Sequence, residues 1–198
     1  MTEKKAAVLL AEGFEEIEAL TVVDVLRRAD IICDMIALGN KTVTGSHGIS
    51  VIADLCMDEA DRNTYDMVIL PGGQPGSTHL RDSEQVIAWI RAFDAQDDKY
   101  VAAICAAPMA VAESGIAAGR KVTSFPQDFL RELLKDAEYI DDNEQLEEMV
   151  AVDRNLITSR GPATALPVAF RLVEILGKDS TPLRQGMQFD ALKEVMKK

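Results

Sequence analysis

Tyr100-Val-Ala-Ala-Ile-Cys105-Ala-Ala-Pro108-Met109 decides the fold. An unbroken apolar run enters one cysteine, passes two minimal side chains and meets a proline. Proline suits the first turn of a helix, where its fixed φ is already helical and its missing N–H would have had no partner. The stretch therefore reads as strand, sharp turn and helix, with Cys105 at the bend. There, the unsatisfied N–H groups and positive dipole end of the following helix favour a thiolate. The plainer alternative is a small core cysteine at a strand end, since buried free cysteine is common.

Strand and helix patterns alternate on both sides of that bend. Upstream, Ala6 to Leu10 reads as a short buried strand, Glu15 to Arg28 as a helix and Ile31 to Ala37 as a second strand. Thr42 to Ile52 alternates around Gly45 and Gly48 and predicts a hairpin. Met67 to Leu70 is a strand ended by Pro71-Gly72-Gly73, and Asp82 to Ala95 is a helix carrying Trp89. Downstream, a strand at Lys121 to Ser124 precedes a helix at Asp128 to Leu134. Met149 to Val152 and Leu156 to Ser159 are strands joined by Asp153-Arg154-Asn155. Arg160-Gly161-Pro162 opens a helix through Leu176, and Gln188 to Met196 is a last amphipathic helix. Repeated β-α units with short apolar strands imply an α/β fold, a mostly parallel sheet with helices on both faces. Ligands of such sheets lie beyond the carboxyl ends of the strands, at a topological switch point.

Bulk properties narrow the function classes. The 198 residues fit a single domain, large enough to bury roughly 70% of the unfolded surface. A formal net charge of −12 and a pI near 4.6 argue against nucleic-acid binding, which relies on a basic footprint. The acidic stretch Asp141 to Glu148 reads as a solvated helix face. Cys33, Cys56 and Cys105 are odd in number and lack CxxC or Cys/His spacing, so neither a disulfide framework nor a metal site is expected. The apolar run from Ala6 to Ala11 is too short for a secretory signal, and no stretch approaches a membrane span. A cytoplasmic, reducing location is expected.

Other residues near the strand ends could carry chemistry. Consecutive glycines at Gly72-Gly73 let backbone N–H groups converge on an anion, and Arg160-Gly161-Pro162 adds a fixed cation. Glu18 shares a helix face with Val22, Val25 and Ala29. It is either at the edge of that stripe or buried. If buried near a thiolate, desolvation and like charge would raise its pKa and keep it protonated. Glu15 and Glu16, in the first turn, complement the helix dipole. Both histidines, His47 and His79, precede Cys105, and Ala106 follows it directly. A cysteine hydrolase needs a base within hydrogen-bond reach, and nothing local supplies one. Cys33 and Cys56 read as packing residues, and both histidines as surface residues.

Five motifs together carry a resemblance. Ala11 to Glu18, Val23 to Arg28, Leu70 to Gly73, Ala102 to Pro108 and Thr158 to Pro162 are similar, in order and spacing, to the DJ-1/ThiJ/PfpI superfamily, closest to its DJ-1/ThiJ branch. The resemblance implies a flavodoxin-like three-layer sandwich and a homodimer built partly on the first helix. It implies that Cys105 is the oxidation-prone nucleophile at the elbow and that Glu18 is a protonated glutamate bonded to it. Gly72, Gly73 and Ala106 would line an anion pocket through their backbone amides, with Arg160 on its rim. No cofactor is implied. Two departures stand out. Val122-Thr-Ser-Phe125-Pro126 has Phe125 where members with glyoxalase chemistry often carry histidine, and Ala106 stands where the peptidase branch has histidine.

The leading expectation is therefore a cysteine-dependent enzyme of the glyoxalase III or deglycase type, acting slowly on reactive 2-oxoaldehydes. The alternative is a redox sensor or redox-regulated chaperone in which peroxide oxidises Cys105. A cysteine hydrolase or amidotransferase would need His47 delivered to the sulfur, across a dimer interface for instance.

Overall fold

The first strand shows why the sheet is covered on both sides. In β1 (Lys5–Leu10), every side chain from Ala6 to Leu10 is buried, and pleating sends successive ones to opposite faces. Ala6, Val8 and Leu10 enter one apolar cluster while Ala7 and Leu9 enter another. A strand buried on both faces reads as a continuous apolar run, which is why no polar alternation marks it. The structure is a computed structural model and describes residues 3–141, 145–146 and 149–196.

Seven strands form the central sheet: β1, β2 (Ile32–Ala37), β5 (Leu55–Cys56), β6 (Met67–Leu70), β7 (Tyr100–Ile104), β10 (Val150–Asp153) and β11 (Leu156–Ser159). Their spatial order is β10-β11-β7-β6-β1-β2-β5. All neighbours pair in parallel except β10, which runs antiparallel to β11 at one edge. The other edge, β5, is two residues long, which leaves little backbone free for unwanted pairing. A separate hairpin joins β3 (Thr42–Thr44) to β4 (Ser50–Ile52), as the glycines at 45 and 48 predict.

One face is covered by α1 (Glu16–Arg28) and α6 (Ala165–Ile175), whose Val22, Leu26, Val168 and Leu172 pack over Val8 and Ile69. The opposite face is covered by α3 (Glu84–Asp94) and α4 (Pro108–Ser114). There Trp89 stacks on Phe93, ring centroids 6.1 Å apart. This is the flavodoxin-like three-layer sandwich that the resemblance implies.

Several boundaries differ from the sequence reading. The helix expected over Asp82 to Ala95 is two helices, α2 (Gly76–Asp82) and α3. Between them Ser83 is extended, and its hydroxyl accepts the N–H of Val86 at 3.3 Å, capping α3. A residue that caps one helix cannot continue another. The strand expected at Lys121 to Ser124 pairs only over β8 (Lys121–Val122), with β9 (Glu138–Tyr139) as its partner. The helix expected from Arg160 begins with a 3₁₀ turn at Pro162–Thr164 before α6. Two more helices follow α5 (Asp128–Leu133) and α6: α7 (Thr181–Gly186) and α8 (Phe189–Met196). Most of the acidic stretch 141–148 lies outside the described residues.

Topology places the site. From β1 the chain moves to β2 and β5 on one side, whereas β6, β7 and β11 build outward on the other. The loops after β1 and β6 therefore diverge and open a crevice at the carboxyl edge. Cys105 follows β7, the neighbour of β6.

Candidate functional site

At the end of β7 the backbone makes the sharp turn expected of it. Cys105 has φ 61°, a left-handed conformation that costs a residue with a side chain about 1–3 kcal/mol. Two hydrogen bonds hold it there: its N–H donates to the Ser159 carbonyl at 2.9 Å, and its carbonyl accepts the Phe125 N–H at 2.8 Å. Neighbours on both sides thus fix the turn, and the thiol is presented half-buried at the strand end. This strand-turn-helix geometry is that of a nucleophile elbow.

Glu18 comes to the same place from the first full turn of α1. Its face, shared with Val22 and Val25, turns into the protein, and the residue is completely buried. The Gly72 N–H donates to Oε2 at 2.7 Å, while Oε1 has no hydrogen-bond partner. A side chain at Gly72 would start 2.6 Å from this Oε2, 2.6 Å from Cys105 Cβ and 3.1 Å from Cys105 Sγ. Only glycine fits between acid and thiol. Gly73, at φ +90°, is equally constrained, since a Cβ there would meet the Glu15 amide nitrogen at 2.3 Å.

Electrostatically the two groups compete for one proton. Burial pushes Glu18 up to about 7; the Gly72 amide and the adjacent thiol pull it down, and the Glu15 charge adds a further rise. Burial also pushes the Cys105 thiol up, followed by the charge and side-chain contact of Glu18. The backbone N–H groups of Ala106 and Gly73 act in the opposite direction and favour the thiolate. Burial and the Glu18 charge thus oppose the helix-dipole reading of a sulfur ionised at rest. Helix α4 has only seven residues and is capped at Ala107, two positions beyond the thiol, so burial and the Glu18 charge outweigh it. The proton leaves sulfur when Glu18 can take it.

The anion pocket needs one correction. Gly73 and Ala106 turn their amides to the sulfur, but the Gly72 amide is committed to Glu18. Arg160 sits beside the elbow, one residue past Ser159, with its side chain 12% exposed. Its guanidinium donates to the Asp141 carbonyl at 3.2 Å and the Asp141 carboxylate at 3.4 Å.

Neither histidine is paired with the thiol. His79 Nδ1 contacts the Glu12 carbonyl at 3.1 Å. His47, in the β3–β4 turn, places Nδ1 2.9 Å from Glu16 Oε2. Glu16 also accepts the backbone N–H groups of His47 at 2.7 Å and Ile49 at 3.4 Å. Both Glu15 and Glu16, read from sequence as dipole partners, are buried. Their link to His47 spans some thirty residues and leaves no local signal. Glu15, Glu16 and His47 bring ligand-type atoms within 4.8 Å of one another. Glu16's acceptors are already occupied, and the positive end of α1 disfavours a cation there. Cys33 is buried in the core, with its thiol pushed up to about 12 by burial, in keeping with a packing role.

A doubly covered, mostly parallel sheet with a strained cysteine elbow and a buried carboxyl beside it defines a flavodoxin-like protein with a cysteine-centred site. The chain belongs to the DJ-1/PfpI family, whose model matches residues 4–175. It is 38% identical over 178 residues to Protein dj-1beta of Drosophila melanogaster, covering 89% of this chain and 91% of that protein. The crystal structure of Drosophila melanogaster DJ-1beta superposes with a TM-score of 0.87 at 35% identity, covering 94% of this chain and 98% of that one. Protein DJ-1 homolog B of Arabidopsis thaliana is 39% identical over 167 residues, 83% of this chain, although those residues span only 36% of that longer protein. A protein named Deglycase TK1284, from Thermococcus kodakarensis, is 31% identical over 158 residues, 80% of this chain and 90% of that protein.

Proposed function

We propose that the protein is a cofactor-independent enzyme that converts reactive 2-oxoaldehydes, or their early adducts on other molecules, into 2-hydroxy acids. One observation carries the reading: a fully buried glutamate with an unpartnered oxygen beside a strained thiol, its pKa raised to about 7. A group titrating near neutral pH is matched to moving protons in both directions. The named deglycase relative points the same way.

In this mechanism Cys105 sulfur adds to the aldehyde carbon while its proton passes to Glu18. The oxygen of the resulting hemithioacetal is held by the amides of Gly73 and Ala106. Glu18 returns a proton to that oxygen, removes the hydrogen on the aldehyde carbon as a proton and delivers it to the adjacent carbonyl carbon, while the hemithioacetal hydroxyl proton passes to the oxygen of that second carbon. The first carbon is oxidised to a thioester as the second is reduced to an alcohol, so no outside electron carrier is needed. Water cleaves the carbon–sulfur bond, releasing the hydroxy acid and restoring the thiol. Arg160 borders the pocket as a cation for the acid product. With Phe125 in place of an imidazole, turnover is slow. Conversion of methylglyoxal to lactate by wild type, abolished in Cys105→Ala, supports this; an equal rate in that variant overturns it.

A second reading uses the same half-buried sulfur as a peroxide sensor or chaperone switch, with the two amides cradling a sulfinate. Gain of two oxygens on Cys105 in intact mass, without any 2-oxoaldehyde turnover, selects it. The active form we propose is a cytoplasmic homodimer. Ile17 on α1 and Ile49 and Ile52 at the hairpin are 56%, 54% and 72% exposed, an apolar surface that suits a second copy. Among the described residues, no helix is long and apolar enough to cross a membrane.

A further inference from the structure

We infer that Phe125 is a specificity-determining residue, forming an apolar wall at the mouth of the Cys105 site that selects 2-oxoaldehydes bearing an aromatic or bulky apolar substituent. The inference rests on the carbonyl reading above and names the substrate class within it.

Phe125 is bound directly to the elbow, since its N–H donates to the Cys105 carbonyl at 2.8 Å. The segment leading to it is pinned from two directions. The Thr123 N–H donates to Thr158 Oγ1 at 2.9 Å, and the Ser124 hydroxyl meets the Tyr139 hydroxyl at 3.0 Å. A ring held this firmly by its backbone is nevertheless 36% exposed. Phe125 Cδ2 lies 3.6 Å from where a Gly161 side chain would begin, and glycine at that position leaves the space beside the ring empty.

The apolar surface continues away from the sulfur. Helix α5 buries Leu130 against Ala106 and Met109, with Cys105 packed on the same cluster. Its neighbours Phe129 and Leu133 are 47% and 44% exposed. Exposed apolar side chains of α5 thus flank the buried cluster on which Cys105 packs. Among the described residues Phe125 and Phe129 stay partly open to solvent, and an aromatic substituent on a bound substrate would cover that open surface. Face or edge contact between rings adds to simple area burial. The departure from a proton-carrying residue at this position, costly in rate, thus gains a function in selection. The chemistry is unchanged: the same sulfur attacks the same aldehyde carbon, with the substituent on the far carbonyl carbon resting against the ring.

The test compares phenylglyoxal with methylglyoxal through kcat/KM in wild type, Phe125→Ala and Phe125→Leu, reading mandelate and lactate. Wild type should favour phenylglyoxal by about tenfold or more, and Phe125→Ala should bring the ratio near one. Phe125→Leu, which keeps apolar volume, should fall between and serves if the alanine variant folds poorly. Alkylation of Cys105 by phenacyl bromide and bromoacetone, followed by intact mass and corrected for their rates with free cysteine, reads the wall without turnover. The aromatic reagent should hold an advantage in wild type that shrinks in Phe125→Leu. Turnover of both substrates with no wild-type preference, or a ratio unmoved by both variants, overturns the role of Phe125 and leaves the carbonyl chemistry standing. Absence of turnover for either substrate in wild type defeats the carbonyl reading itself, and the inference with it.

Discussion

Glu16 and Glu18 lie two residues apart on one helix, both buried, and they end at opposite extremes. Glu16 is held at about 2, Glu18 is raised to about 7. Burial penalises the charge on both. At Glu16 that penalty is overturned by the His47 side chain and by N–H groups from its own backbone, His47 and Ile49. Glu18 meets a single amide and a thiol, and desolvation wins. The hairpin supplies donors to one face of the helix, while the sheet edge withholds them from the next. Ionisation state follows the count of donors as well as depth, Glu18 being both the deeper group and the poorer in donors.

The widest separation between the two should appear in catalysis. Glu18→Gln removes the proton acceptor while keeping shape and the Gly72 bond, so kcat/KM for 2-oxoaldehydes should fall about 10²–10⁴-fold. The wild-type pH–rate profile should rise through a pKa near 7, and this limb should vanish in Glu18→Gln. Glu16→Gln should retain it. Retention of the limb in Glu18→Gln, or its loss in Glu16→Gln, would assign the titration to another group.

Steric separation comes next. Gly72→Ala would place a methyl 2.6 Å from both Cys105 Cβ and Glu18 Oε2, forcing acid and sulfur apart. Overpacking of this kind costs about 1–3 kcal/mol, visible in urea midpoints. Activity should drop further than stability, by about 100-fold, because reacting groups misplaced by an ångström lose that much. A fully active Gly72→Ala would mean that acid and thiol do not work as a pair.

Stability against pH should then show opposite signs. Glu16 is depressed below the ordinary 4.5, so the folded form binds fewer protons than the unfolded one. Its contribution is complete above about 4.5 and is lost as pH falls toward 2. Glu18 is raised, so the folded form binds more protons between about 4.5 and 7, and stability falls as pH rises through that window. The Glu18 cost in the ionised state is on the order of 3 kcal/mol. Glu18→Gln should therefore flatten the decline between pH 4.5 and 7, while Glu16→Gln should cost about 1.5–3 kcal/mol near pH 6. Urea denaturation across pH separates them, and parallel curves for the two variants would contradict the donor-count explanation.

This pair also marks how far the sequence could be read. β6, β7 and β11 are legible to the residue because their runs end abruptly at Pro71, Cys105 and Arg160. Cys105 stood out through the proline that starts its helix, and Glu18 through an acid placed on an apolar stripe. What escaped depended on distant chain segments. The Gly72 amide reaches Glu18 across 54 positions and the hairpin reaches Glu16 across 31. No helical or strand period carries such information. Helix α2 was missed for a local reason: it begins at Gly76 and carries no apolar repeat. The thiol's protonation is harder to read, because a dipole is visible in sequence and desolvation is not.

The smallest effect belongs to the exposed partner. His47 is raised above the ordinary 6.5, first by its bond to Glu16 and then by the charges of Glu15 and Glu16. A raised base binds a proton more tightly when folded, so its contribution is present below about 6.5 and disappears as pH climbs past the folded value. It is the same attraction that depresses Glu16, seen from the other end, and the two are not additive. The ring is open to solvent, so screening weakens it further. His47→Gln should therefore destabilise less than Glu16→Gln at every pH, with a difference from wild type that is full below about 6.5 and lost as pH rises past the raised value of the ring. Added salt should shrink that difference while leaving the backbone N–H bonds to Glu16 in place. A His47→Gln effect as large as Glu16→Gln, or one that persists at high pH, would show that the imidazole rather than the hairpin amides holds Glu16 charged.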